Sequence, residues 1–188
     1  MKKAILLGVA ALCMASCGSS SKEDAIQRLP SDQISVFTSS DKQLENAYNW
    51  AKKMALSYAH DNSDPVGYWY EAALPQREAF CMRDVSHQSV GAQILGLARH
   101  NKNMFTRFVE NISEEKDWCT YWEINRYNKP APADYTNDKE FWYNLNANFD
   151  VMQACLKMYQ WTGDAGYLTD PLFTNFYEKS VNEYVHRW

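Results

Sequence analysis

The stretch EAFCMRDVSHQSVGAQILGLARHNK, residues 78–102, decides the fold class. From Val90 to Ala98, glycine, alanine and aliphatic residues cover nearly the whole circumference of a helix. The segment from about Val85 to Arg99 therefore reads as a helix buried on most sides. Yet Arg83 and Asp84 stand at its mouth, and charges beside a buried helix need partners, from the protein or from a ligand. Glycine lowers helix propensity, which predicts that Gly91 and Gly96 serve close approach of neighbouring helices. His100-Asn101 reads as the stop, because asparagine tolerates a left-handed cap.

Helices of alternating character follow on either side. Ser40-x-x-Gln43 matches a capping box. It opens a helix whose Leu44, Ala47, Tyr48, Ala51, Met54, Ala55 and Tyr58 make one apolar stripe, and HDNSDPVG ends it near His60. After Asn101, Met104, Phe105, Phe108, Val109 and Ile112 form one face of a helix whose other face is polar. A second all-round apolar helix runs from about Ala147 to Trp161, with Gly163 as its C-cap. Asp170-Pro171 is an N-cap followed by proline at the first helical position. It starts an amphipathic stripe through Leu172, Phe173, Phe176, Tyr177, Val181, Tyr184 and Val185. Fully apolar helices alternating with one-sided ones predict an all-α fold of antiparallel helical hairpins in two layers. No strand-like run of comparable strength appears.

The direction of the chain places its two long connections, residues 61–83 and 113–146, at the same end. Long loops in compact domains are often functional, and these hold Trp69, Tyr70, Trp118, Tyr121, Trp122 and further aromatics. Aromatics make up 14% of the chain, a surplus that serves either as core mass or as a surface for flat ligands.

A formal charge of −4 gives no basic footprint for nucleic acid. At the N-terminus, Lys2 and Lys3 precede an apolar run from Ala4 to Met14, the pattern of a secretory signal over residues 1–16. MASC resembles a bacterial lipobox, with methionine where leucine is usual. The resemblance implies lipidation of Cys17, a membrane anchor and a place in the bacterial envelope, at the outer membrane; ordinary cleavage nearby, leaving Cys17 a plain thiol, is the alternative. Residues 17–39 form a polar tether. Its Lys22-Glu23-Asp24 run resembles the export signal of Bacteroidota surface lipoproteins, and a plain solvated linker is the alternative. Residues 40–188 are the helical domain. Cys81, Cys119 and Cys155 are odd in number, so at least one thiol is left unpaired within the chain, and a bridge between Cys81 and Cys119 stays open. The spacing of His60, His87, His100 and His186 suits no structural metal, and no cofactor is expected.

AFCMRD before the apolar helix, the turn GLARHNK and the turn YQWTGD together resemble the six-hairpin glycosidase superfamily. The resemblance spans Ala47 to Trp188 and implies part of an (α/α)6 toroid. It implies that Arg83 and Asp84 hydrogen-bond sugar hydroxyls, with Trp69, Tyr70, Trp118 and Trp122 as stacking rings. A capping role for Asp84, an ion pair for Arg83 and plain packing for each ring are the alternatives. Gln88 reads equally as a core amide or a sugar contact. Glycoside hydrolysis needs two carboxyl groups, one with a raised pKa. Among the loop acids, Glu123 is the candidate for catalysis, with a solvated surface acid as its alternative.

A complete toroid needs several hundred residues, so the expectation is the N-terminal, truncated part of a glycoside hydrolase-like lipoprotein, inactive alone, with carbohydrate as its partner. A related possibility is a polysaccharide lyase. A non-catalytic surface glycan-binding lipoprotein is the main alternative, and a purely structural helical scaffold is another.

Overall fold

The computed structural model describes residues 35–73 and 77–188, so the signal segment and the lipidation expected at Cys17 lie outside the described residues. The described chain is mostly helical. In order come α1 (Lys42–Leu56), β1 (Ala59–His60), β2 (Trp69–Tyr70), β3 (Ala79–Cys81), α2 (Met82–Ile94) and α3 (Ala98–Val109). Then follow β4 (Glu123–Asn125), β5 (Tyr135–Asn137), β6 (Glu140–Phe141), α4 (Ala147–Thr162), α5 (Gly166–Thr169), α6 (Pro171–Lys179) and α7 (Val185–Arg187). The strands form three antiparallel pairs, β1–β2, β3–β4 and β5–β6, inside or beside the long connections. Runs of two or three residues carry no periodicity to read, so the sequence offered no sign of them.

Helices α2 and α4 pack against each other, and α3 packs on α2 and α6. Between them lies a core of Val85, Phe105, Phe108, Val151, Cys155, Met158, Phe173 and Phe176, with Trp69 and Phe80 reaching in from the first connection. The stripe expected on α3 is buried from Met104 to Val109. Gly163 caps α4 at φ +71°, and Asp170 caps α6 by accepting from Leu172 N with Pro171 behind it, both as expected.

Several expectations are corrected. The N-cap of α1 is Asp41, whose carboxylate accepts from Gln43 N and Leu44 N. No residue of α1 is buried, so its apolar stripe lacks cover. Helix α2 ends at Ile94, because Gly96 adopts φ +83° and turns the chain there. Asn101, expected as the stop, is wholly buried inside α3. It donates to Ser89 O (2.8 Å) and accepts from the Tyr70 hydroxyl (2.9 Å). Gly91 is not a close-approach glycine, since a Cβ there meets nothing within 4 Å. Nor are α2 and α4 covered all round: Ile94, Phe149, Leu156 and Tyr159 are exposed. At the end of α6 the helix widens into a π turn, Ser180–Tyr184. The wider turn rotates later residues, bringing Tyr184 into the core and leaving Val181 and Val185 outside.

A buried amide fastens the second connection to the helices. Asn148, fully buried in the first turn of α4, accepts from Thr120 N (3.0 Å) and donates to Trp118 O (2.8 Å) and Ser180 Oγ (2.9 Å). Asn148→Ala leaves all three groups unpaired in a dry site. The expected cost is about 2–3 kcal/mol of unfolding free energy, measured as a lower denaturant midpoint at unchanged slope.

Candidate functional site

The two long connections meet in a ladder at the head of α2. Ala79, Phe80 and Cys81 pair with Asn125, Ile124 and Glu123. Beyond it, Met82 N donates to Trp122 O (2.9 Å) and Val66 N to Arg126 O (3.1 Å). This pairing sets Trp122 beside the first turn of α2, and Asn148 anchors the same connection at the first turn of α4. The N-termini of both helices therefore open onto one surface.

Arg83 lies there half exposed. Its guanidinium sits 5.6 Å from the centre of the Trp122 ring, donates to Asn146 Oδ1 (2.9 Å), and reaches Asp150 Oδ2 at 3.5 Å. Cations over an indole face are attracted by its quadrupole, so ring and guanidinium hold each other in place. Asp84 is exposed in the first turn of α2, whose N-cap is Cys81. His87 and Gln88 follow one turn later, also exposed, so Gln88 is not a core amide. Asn146 and Asp150 were not singled out from sequence. The available signal was the one that marked Asp84, a carboxylate in the first turn of a largely apolar helix.

The other sequence candidates separate. Trp69 is wholly buried, stacked on His60 (centroids 4.1 Å apart) with its Nε1 donating to Asp64 (2.8 Å). Tyr70 is buried too. Trp69 offers no face to a ligand, which corrects the stacking role expected of it, whereas the buried Tyr70 borders a cleft beside α2. Loop aromatics beside an apolar helix are drawn into its core by the area they bury. Trp118 is half-buried at φ +62°, after Asp117 at φ +51°. Two successive left-handed residues are strained. Backbone bonds from Asp117 N to Glu114 O (3.0 Å) and Trp118 N to Ser113 O (2.9 Å) hold them, with Asn148 on Trp118 O and Arg187 Nε on Asp117 Oδ1 (2.8 Å), and Lys179 lies over the indole ring (4.6 Å). Trp118 thus lines a separate polar hollow with Glu114, Lys179 and Glu183.

Glu123 is closed in. It is 2% exposed; Oε2 accepts from Arg77 Nη1 (2.7 Å), which also stands 3.4 Å from Asp134, while Oε1 is buried without a hydrogen bond. Burial, then the neighbouring Asp134, push its carboxyl up to about 7 against the pull of Arg77. A raised pKa suits a general acid, but a side chain sealed from solvent has no path to a glycosidic oxygen. The catalytic and solvated-surface readings of Glu123 are both corrected: it is a buried, paired carboxyl. Cys81, Cys119 and Cys155 are all free and buried, which closes the question of a bridge between the first two. Among the described residues no His, Cys, Asp and Glu cluster suits a metal ion. No family model, curated protein or solved structure matches the chain.

The native state keeps the Glu123 proton to about pH 7, whereas the unfolded chain releases it near 4.5. Stability contributed by the protonated form is therefore lost as pH rises between those values. His100, held down to about 4 by burial, tilts stability the other way between about 4 and 6.5. The readout is thus the difference between wild type and Glu123→Gln in denaturation from pH 4.5 to 8. The downward slope with pH is expected to be smaller in the variant. For the thiols, burial raises Cys81 and Cys155 to about 12 and Cys119 to about 11. Alkylation at pH 8 followed by peptide mapping is expected to label them only after denaturation.

Proposed function

We propose that this chain supplies a sugar-binding site of a glycoside hydrolase-like lipoprotein of the bacterial envelope, held at the outer membrane through Cys17. Its helices belong to a two-layered, toroid-type stack, and the apolar residues exposed on α1 and α4 are where further hairpins of such a stack pack. The observation that carries the sugar reading is the surface at the heads of α2 and α4. There an indole ring, a half-exposed guanidinium, a carboxylate and an amide converge as Trp122, Arg83, Asp150 and Asn146, with Asp84 exposed next to Arg83 in the first turn of α2. A sugar ring presents hydroxyls round its edge and an apolar face. Paired charges orient the first and an aromatic plane takes the second.

The burial of Glu123 favours a second reading of the same surface, a glycan-binding lipoprotein that performs no hydrolysis. Both readings predict binding without turnover by this chain. Soluble plant and host oligosaccharides titrated against the purified chain, followed by tryptophan fluorescence and calorimetry, test them. Arg83→Ala and Trp122→Ala are expected to weaken binding about tenfold or more, as the loss of a charged hydrogen bond or a stacking plane implies. Wild-type affinity in both variants, or no binding by the wild type, overturns the sugar site. Release of reducing ends by the purified chain overturns the non-hydrolytic reading.

A further inference from the structure

The exposed face of α2 does not stop at Asp84. Arg83, Asp84, His87, Gln88, Gly91 and Ile94 are all exposed, and the spacings 84, 88, 91 and 83, 87 put them on one side of the helix. From Arg83 to Gly91 that side runs about 12 Å at 1.5 Å per residue. It then enters a cleft of about 440 Å³ between α2 and the end of α1, lined among others by Tyr58, Glu71, His87, Gln88, Gly91 and Leu95. That volume lies in the range of roughly 300–1,000 Å³ usual for small-molecule sites.

The lining indicates which chemistry it takes. Leu95, Ala92 and Gly91 make an apolar floor, and Gly91 has no atom within 4 Å of where a Cβ would stand. The rim is polar: the amide of Gln88, the imidazole of His87, and Glu71, whose Oε1 lies 3.2 Å from His60 Nε2. Glu71 N also donates to Tyr58 O (3.0 Å), which ties the half-exposed Tyr58 to the cleft wall. Among the described residues neither lysine nor arginine lines the cleft, so a phosphate, sulfate or uronate finds no counter-charge among them. An apolar floor, neutral hydrogen-bonding groups and one carboxylate acceptor suit an uncharged, hydroxyl-rich ligand with an apolar face.

We propose that this cleft is a further sugar subsite, receiving the next units of a neutral oligosaccharide whose first unit lies at Arg83 and Trp122. The inference rests on the sugar reading of that surface, and its test separates the two. Affinity for neutral β-1,4-linked gluco-, xylo- and manno-oligosaccharides of two to six units is measured by calorimetry. The proteins are wild type, Gly91→Phe, the His87→Ala/Gln88→Ala double variant and Trp122→Ala. Phenylalanine at 91 fills the cleft from open space and replaces a poor helix former, so the melting temperature is expected to hold or rise.

Wild-type affinity is expected to increase with chain length. Gly91→Phe is expected to remove that increase, a loss of about tenfold for the longest chains with the disaccharide unchanged, as for one or two neutral hydrogen bonds. The double variant loses the same increase without added bulk, which keeps the test valid if Gly91→Phe folds poorly. Trp122→Ala weakens every length. Length-dependent affinity that survives both cleft changes overturns the subsite and leaves the surface at Trp122 standing. A wild type that binds none of these sugars overturns the subsite, and the wider oligosaccharide titration then decides the surface at Trp122 separately.

Discussion

The β3–β4 ladder is the constraint on which the site depends. Three residue pairs hold residues 79–81 against 123–125, and the ladder runs directly into α2, whose first residue is hydrogen-bonded to Trp122. Had the two connections splayed apart, Arg83 and Trp122 would belong to different surfaces. Phe80 and Ile124, paired in the ladder, are both buried, with Phe80 edge-on to Phe108 of α3. Core burial thus pins a pairing too short to be stable in water by itself.

Polar groups do the complementary work in the interior. Asn101, Asn148, Asp64 and Glu123 are all buried, and each joins a connection either to a helix or to the other connection. Asp64 accepts from Trp69 Nε1 and from Arg126, so one carboxylate ties both loops together. Buried groups of this kind fix a unique arrangement because every alternative leaves them unpaired. The surface at the heads of α2 and α4 is therefore anchored to the core, with Arg83, Asp84 and Asp150 presented from the first turns of helices and Trp122 from the connection beside the ladder.

The helices themselves were legible, and the reason is local. Met104, Phe105, Phe108 and Val109 repeat at helical spacing; Gly163 supplies a left-handed cap; and Asp170-Pro171 caps and starts a helix by its own geometry. These signals reside in adjacent residues. Where two local signals competed, the sequence did not arbitrate: Gly96 and Asn101 both offer a turn. Glycine took it because positive φ costs glycine nothing, while Asn101 was needed as a buried hydrogen-bonding partner for Tyr70 and Ser89.

The candidate site divides along the same line. That Arg83 and Asp84 stand at the head of an apolar helix, and that both long connections lie at that end, follows from chain order and periodicity alone. Which of the rings face solvent does not, because Trp69 and Trp122 are each followed or preceded by a tyrosine in an aromatic-rich loop. Tertiary packing buried the first against His60 and left the second under Arg83. Likewise Glu123 reads as one loop acid among several until the ladder turns it inward onto Arg77. Periodicity and capping are written in neighbouring residues, whereas exposure and pairing depend on segments that meet only when the chain has folded.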